Sequence, residues 1–295
     1  MTGTLVETAY PRISGHEYCA EVAAVGKNVR GMYVGQLVTG NPYFNCGTCY
    51  SCRRGLTNCC TSNATCGVQR DGVFSTYTVM PAERLYDVSG LAPHVAALIE
   101  PFSIGHFAVK QTAVKRGERM LIVGAGSIGM LAAVSALSFG AEVTICDISP
   151  DKLRLAEEFG IQHTILNDGN RPLQDYVEEY TDGNGYDTAI ECAGLSSTVQ
   201  DCIDSLAFGG RMSIVGVVKH PFLFNIDVIR HKYLTVIGAR NALKEDFMET
   251  IAIARQGIYP LEKVISRIFP VEEAAAAYDF FDKNGSTSFK VMLEF

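Results

Sequence analysis

Apolar and polar positions change period several times along this chain, and the middle of it is the most ordered. Residues 119–123 form a short apolar run of strand type, and a glycine-rich turn follows at once. Residues 130–139 then have the unbroken apolar character of a buried helix, and residues 142–146 form a second strand-type run ending at Asp147. The pattern repeats with strand-type runs at 186–190, 210–215 and 234–237, separated by helical stretches such as 151–159 and 197–206. This alternation predicts an α/β fold with a doubly wound parallel sheet, whose ligand sits at the carboxyl ends of the strands. The flanks read differently. Residues 1–104 are rich in glycine, proline and short β-type runs such as 20–25 and 74–79. Residues 241–295 predict helices at 244–255 and 271–281 and a last strand at 289–295. The expected organisation is one domain of residues 105–240 inserted into a second made of 1–104 and 241–295.

Composition narrows the class. With 295 residues, 47% hydrophobic and 19% charged, the chain can build a sizeable core and lies far from the signature of disorder. A net charge of −7, from 25 basic against 32 acidic residues, argues against a nucleic-acid or anionic-membrane partner. Residues 120–141 carry no charge and imitate a membrane span, but Gly124, Gly126, Gly129 and Gly140 interrupt them and the apolar period changes partway. A buried strand followed by a helix suits them better. Residues 1–15 lack the basic and apolar regions of an export signal, so a cytoplasmic location is expected.

Seven of the ten cysteines fall between Cys19 and Cys66, and five lie within fifteen residues: Cys46, Cys49, Cys52, Cys59 and Cys60. Without an export signal, metal ligation explains this density better than disulfides do. Cys46, Cys49, Cys52 and Cys60 offer four thiolates at spacings that let one loop wrap a tetrahedral ion, with Cys59 an alternative to Cys60. Zinc is the default for four sulfurs, because the x3-C-P continuation of the bacterial iron–sulfur pattern is absent. Such a site has no open position, so it holds a lobe together and does no chemistry. Cys19, Cys66, Cys146, Cys192 and Cys202 read as small buried hydrophobes.

The glycine turn after residue 123 carries Gly124, Gly126, Ser127, Ile128 and Gly129 in a G-x-G-x-x-G pattern. Strand, helix and an acidic residue 18 positions beyond Gly129 are all present, which makes it a dinucleotide fingerprint. Gly124 permits the tight turn, Gly126 lets the backbone approach a pyrophosphate, and Gly129 allows close helix–strand packing. Asp147 is expected to accept hydrogen bonds from ribose hydroxyls and to repel a 2′-phosphate, which favours NAD over NADP. Lys152 and Arg154 close behind moderate that preference.

The four-cysteine loop and the glycine turn, together with Gly15-His16-Glu17 and Leu98-Ile99-Glu100-Pro101, resemble the zinc-dependent medium-chain alcohol and polyol dehydrogenases. The resemblance runs from residue 10 to the end and is nearest to sorbitol-, threonine- and galactonate-type enzymes; Arg240-Asn241 and Glu245-Asp246-Phe247 are similar to the last group. It implies a GroES-like, β-rich catalytic domain beside a Rossmann domain, zinc and NAD as cofactors, and hydride transfer with a polyol or sugar acid as substrate. It also implies roles: His16, Glu17 and Glu100 at a catalytic zinc, and Cys46, Cys49, Cys52 and Cys60 at a structural zinc. Val215, Gly216 and Val217 would line the nicotinamide, Ala239 and Arg240 would lie on the cofactor's far side, and Lys290 would stand near its pyrophosphate; Lys152, close behind Asp147, is a further cofactor-binding candidate. Relatives are homodimers or homotetramers that pair through the cofactor domain, and the run 234–237 is the candidate for that role.

The family places a zinc-binding cysteine and a relay hydroxyl ahead of the Gly-His-Glu motif, and no cysteine precedes Cys19 here. Cys19, three residues after His16, would point to the opposite face of a strand. The expectation is an active family with an impaired catalytic zinc in this chain; a misassigned start, a truncation and a naturally shortened relative are the competing accounts. Three other functions stay open: an NAD-binding protein with only a structural zinc, a zinc-independent quinone or enoyl reductase, and a zinc-ribbon nucleic-acid binder, the weakest of them. His94, His106, His163, His220 and His231 read as packing or surface residues.

Overall fold

A computed structural model of the chain describes residues 10–295 and divides them into two compact units. Residues 10–103, Asn241–Ile258 and Phe295 form the first; Ile104–Arg240 and Tyr259–Glu294 form the second. The export-signal reading of residues 1–15 falls largely on residues 1–9, which lie outside the described ones.

The first unit opens with β1 (Ala20–Glu21), β2 (Leu37–Gly40), β3 (Tyr43–Phe44), α1 (Tyr50–Arg53), β4 (Ala64–Thr65), β5 (Leu85–Asp87) and α2 (Pro93–Ala96). β1, β2 and β5 make an antiparallel sheet in which Ala20 faces Val38 and Thr39 faces Tyr86. β3 and β4 pair antiparallel, Tyr43 opposite Thr65, and the cysteine loop with α1 lies between them in the chain. Of the two β-type runs expected here, 20–25 shortens to β1, and 74–79 forms no strand. Val73 and Phe74 donate their N–H groups to the carbonyls of Gly15 and Ser14, while Tyr77 and Val79 face solvent. Apolar alternation without a partner edge does not make a strand.

Helix α3 (Ile99–Gln111) leads into the second unit, which runs β6 (Arg119–Val123), α4 (Ser127–Ser138), β7 (Glu142–Asp147), α5 (Pro150–Glu158), β8 (His163–Leu166) and α6 (Leu173–Thr181). It continues with β9 (Tyr186–Glu191), α7 (Ser196–Ser205), β10 (Leu206–Ile214), α8 (Asp227–His231) and β11 (Thr235–Gly238). All six strands are parallel, in the order β11-β10-β9-β6-β7-β8. The doubly wound sheet expected from the alternation is present. The uncharged stretch 120–141 is β6 and α4, and no described helix is long and apolar enough to cross a membrane. One sheet face packs Leu121, Ala189 and Met212 against Val177 of α6 and Val199 and Ile203 of α7, all within a tenth of full burial. Fully buried apolar side chains of this size each contribute about 1.5–3 kcal/mol, so the sheet is the rigid part of the unit. Cys146 and Cys202 belong to the same core, as small buried hydrophobes should.

The chain closes with α9 (Lys244–Arg255), β12 (Ile265–Pro270), α10 (Ala274–Asn284) and β13 (Lys290–Glu294). α9 belongs to the first unit, where fully buried Phe247 meets the ring of Tyr86 at 5.3 Å. Residues 259–294 group with the second unit, whereas the sequence pattern assigns all of 241–295 to the first. β12 and β13 pair only with each other among the described residues, and Lys263 forms an ion pair with Glu158 of α5. The Nζ of Lys152, also on α5, lies 6.0 Å from the Phe289 ring.

Candidate metal and cofactor sites

The cysteine loop folds its sulfurs together. Ligand atoms of Cys46, Cys49, Cys52 and Cys60 all lie within 4.8 Å of one another, and every cysteine of the chain is a free thiol. Backbone amides point at these sulfurs: Cys49 N–H at Cys46 (3.3 Å), Cys52 N–H at Cys49 (3.5 Å), and the N–H groups of Cys46 and Ser62 at Cys60 (3.2 and 3.4 Å). Asn45 Nδ2 donates to Cys52 at 3.8 Å. Such donors favour thiolate over thiol; the Cys52 amide above all pulls Cys49 down to about 5. Cys59 is exposed and outside the group, whereas Cys60 is buried and within it. Four thiol side chains gathered with amide donors on their sulfurs form a donor set that fits a closed zinc site.

A second group forms where the chain enters the first unit. Gly15 has φ of +91°, and its backbone is packed so closely that a Cβ on Gly72 would lie 2.2 Å from its carbonyl oxygen. A side chain on Gly15 itself would meet the Phe74 ring at 2.2 Å. This glycine-lined passage sets the direction of the next two side chains. His16 and Glu17 converge there on Glu100 from the first turn of α3, their ligand atoms within 4.8 Å of one another. Glu100 is 2% exposed, and the hydroxyl of Tyr43 donates to its Oε1. Burial first, then the Glu100 charge, pushes the Tyr43 hydroxyl well above its ordinary pKa, so it stays a donor. Two carboxylates and an imidazole held this close suit a hard or borderline cation such as zinc. Cys19 is not in the group; burial pushes its thiol up to about 11, away from the form that binds metal.

In the second unit the glycine turn sits at the carboxyl end of β6. Gly124 has φ of +102°, and a Cβ there would press on the backbone of Cys192 and Ala193 at 3.0–3.1 Å. A Cβ on Gly129 would lie 1.8 Å from the Gly124 carbonyl oxygen, whereas one on Gly126 would meet nothing within 4 Å. Close packing and open approach therefore belong to different glycines of the same turn. Gly126 caps α4, whose first N–H groups, starting at Ser127 and Ile128, face outward for an anion. Asp147, at the end of β7, accepts from Ala125 N–H (2.7 Å) and from Ser149 N–H (2.8 Å), one bond to each carboxylate oxygen. It is held beside the turn with acceptor capacity left on both oxygens.

Residues 215–217 follow β10. The N–H groups of Val215 and Gly216 donate to the Glu191 carbonyl (2.9 and 3.1 Å), and Val217 is largely exposed. Ala239 N–H donates to the Ile214 carbonyl, and exposed Arg240 follows it at the end of β11. Lys290 starts β13 and follows Phe289, whose ring lies 6.0 Å from Lys152 Nζ. The glycine turn and Asp147 are in direct contact through the Ala125 N–H. Two residues escape sequence reasoning. Tyr43 opens the two-residue strand β3, too short for the sequence to signal, and Glu191, fully buried at the end of β9, reads only as the polar end of a strand.

Comparison with known proteins shows the family of the chain. Residues 1–90 match the alcohol dehydrogenase GroES-like domain, and residues 127–256 match the zinc-binding dehydrogenase family. An L-galactonate-5-dehydrogenase of Escherichia coli K12 is 32% identical over 271 residues, covering 92% of this chain and 79% of that protein. A sorbitol dehydrogenase of Halalkalibacterium halodurans is 31% identical over 275 residues, covering 92% and 80%. Among solved structures, an alcohol dehydrogenase of Escherichia coli CFT073 complexed with NADH superposes with a TM-score of 0.90 at 29% identity, covering 97% of this chain and 85% of that one. The chain belongs to the zinc-type medium-chain dehydrogenase family, with a GroES-like domain and a Rossmann domain.

Proposed function

We propose that this protein is an NAD-dependent zinc dehydrogenase that moves hydride between NAD and a secondary alcohol of a polyol or sugar acid of the galactonate kind. The observation that carries this reading is the convergence of His16, Glu17 and Glu100, within a family of zinc dehydrogenases. These three residues would hold a catalytic zinc, and Cys46, Cys49, Cys52 and Cys60 a structural one. When bound, zinc supplies a Lewis acid that lowers the pKa of an alcohol oxygen, and NAD supplies the hydride acceptor. The Tyr43 hydroxyl fixes the Glu100 carboxylate in one orientation. Carboxylate and imidazole donors leave more positive charge at such a site than thiolates would, which suits substrates chelating through neighbouring hydroxyls. At the other site, Gly126 and the first amides of α4 receive the pyrophosphate, and Asp147 receives the ribose hydroxyls. Its negative charge disfavours a 2′-phosphate. Lys152 and Lys290 add positive charge on that side of the unit, and Ala239 and Arg240 end the strand beside residues 215–217. Strand β11 is one of the two edges of the sheet among the described residues and the proposed surface for a homodimer or homotetramer.

The test is NADH absorbance on a panel of polyols and sugar acids, with NAD and NADP in parallel. Turnover of a polyol or sugar acid with NAD, lost on chelation or in Glu100→Ala, supports the reading. Reduction of quinones or enoyl compounds that survives zinc removal would replace it.

A further inference from the structure

We propose that Glu191 is a positioning residue for the nicotinamide half of the cofactor, an inference that rests on reading residues 215–217 as the segment beneath that ring. Glu191 ends β9, paired to Val123 of β6 on one side and to Ile214 of β10 on the other. The connections reverse direction between β6 and β9, which is where doubly wound sheets bind their ligands.

The residue is 0% exposed, yet it is a carboxylate. Its Oε1 accepts three hydrogen bonds: from Ala193 N–H (2.9 Å), Gly194 N–H (2.8 Å) and Thr198 Oγ1 (2.6 Å). Its Oε2 is buried and accepts none. Its main-chain carbonyl takes the N–H groups of Val215 and Gly216. One residue thus holds the turn after β9 with its side chain and the turn after β10 with its backbone.

The two turns are pressed together on top of it. Gly194 has φ of +74°, and a Cβ there would lie 3.0 Å from Val217 N. A Cβ on Gly216 would lie 2.3 Å from Gly194 N and 2.4 Å from Glu191 Oε2. Residues 215–217 therefore rest on a platform whose height is set by the carboxylate. A buried carboxylate with one oxygen unbonded costs more than an apolar side chain of similar size, so the fold alone gives no reason for it. The adenosine half rests on Gly126 and Asp147, with which Glu191 makes no hydrogen bond; its link to the glycine turn runs through Ala193, whose backbone packs against Gly124. Loss of the carboxylate should release the nicotinamide floor and leave the adenosine site intact.

The experiment titrates the full chain, wild type and variants, with NADH and with ADP-ribose, which lacks the nicotinamide. In Glu191→Ala, NADH should bind about tenfold or more weakly, the scale of a lost charge-assisted hydrogen bond, while ADP-ribose binds as in wild type. Glu191→Gln keeps an acceptor for the same three donors and should restore most of the NADH affinity. Thr198→Val removes one donor and should weaken NADH about threefold with ADP-ribose unchanged; it decides the matter if Glu191→Ala fails to fold. Equal weakening of both ligands, or no change in either, overturns the inference. Failure of the wild type to bind either ligand would instead overturn the cofactor reading, and this inference with it.

Discussion

Two glycines of one turn separate the needs of the fold from the needs of the ligand. In Gly129→Ala the new methyl falls 1.8 Å from the Gly124 carbonyl oxygen, far inside the 3.4 Å at which ordinary contact begins. The obstacle is backbone, so α4 must retreat from β6 by more than 1 Å. Overpacking of this kind costs about 1–3 kcal/mol. For a protein of this size that is a fall of about 2–5 °C in melting temperature. In Gly126→Ala the methyl enters open space, and the residue's φ of −70° suits alanine. Stability should change by less than about 1 kcal/mol, the difference between glycine and alanine as a helix cap. The methyl nonetheless occupies the side from which a pyrophosphate would approach, so NADH should bind about tenfold or more weakly. Thermal melts with and without NADH, together with a fluorescence titration, read both quantities. If Gly129→Ala melts with the wild type, the close helix–strand contact is not what this glycine provides. If Gly126→Ala binds NADH normally, the pyrophosphate does not lie on this turn.

Other perturbations address the remaining residues. Cys46→Ser should lower zinc content by one ion per chain and destabilise the first unit by about 2 kcal/mol or more, read by metal analysis and chemical denaturation; unchanged zinc would remove Cys46 from the site. Asp147→Ala should weaken NAD about tenfold and narrow or reverse the preference over NADP, read as the ratio of kcat/KM values; an unchanged ratio would contradict the ribose role. Tyr43→Phe strips a donor from buried Glu100 and should lower kcat/KM about tenfold with little change in NADH affinity; equal loss of both would point to general unfolding.

What was readable in the sequence was what is local in it. The glycine turn and the cysteine loop each concentrate their chemistry in a few successive residues, and the structure keeps those residues together. β8, with four residues, and β12 gave too short an apolar signal to stand out, although α6 buries Leu173, Val177 and Thr181 at helical spacing and was legible in principle. The helix expected at 197–206 ends one residue earlier because Leu206 pairs with Tyr186 and starts β10 instead. Glu100 meets His16 and Glu17 only through folding, and the motifs alone suggested that meeting through family resemblance. Tyr43 and Glu191 were invisible, because a buried polar side chain is defined by its partners, and these are distant in the chain or in the backbone.

The central claim is that His16 belongs to a metal site separate from the four sulfurs. Counting zinc per chain by mass spectrometry in the wild type and in His16→Ala tests it most directly. Two ions falling to about one, with the sulfur-bound ion retained, is the predicted result. One ion in both proteins would contradict it.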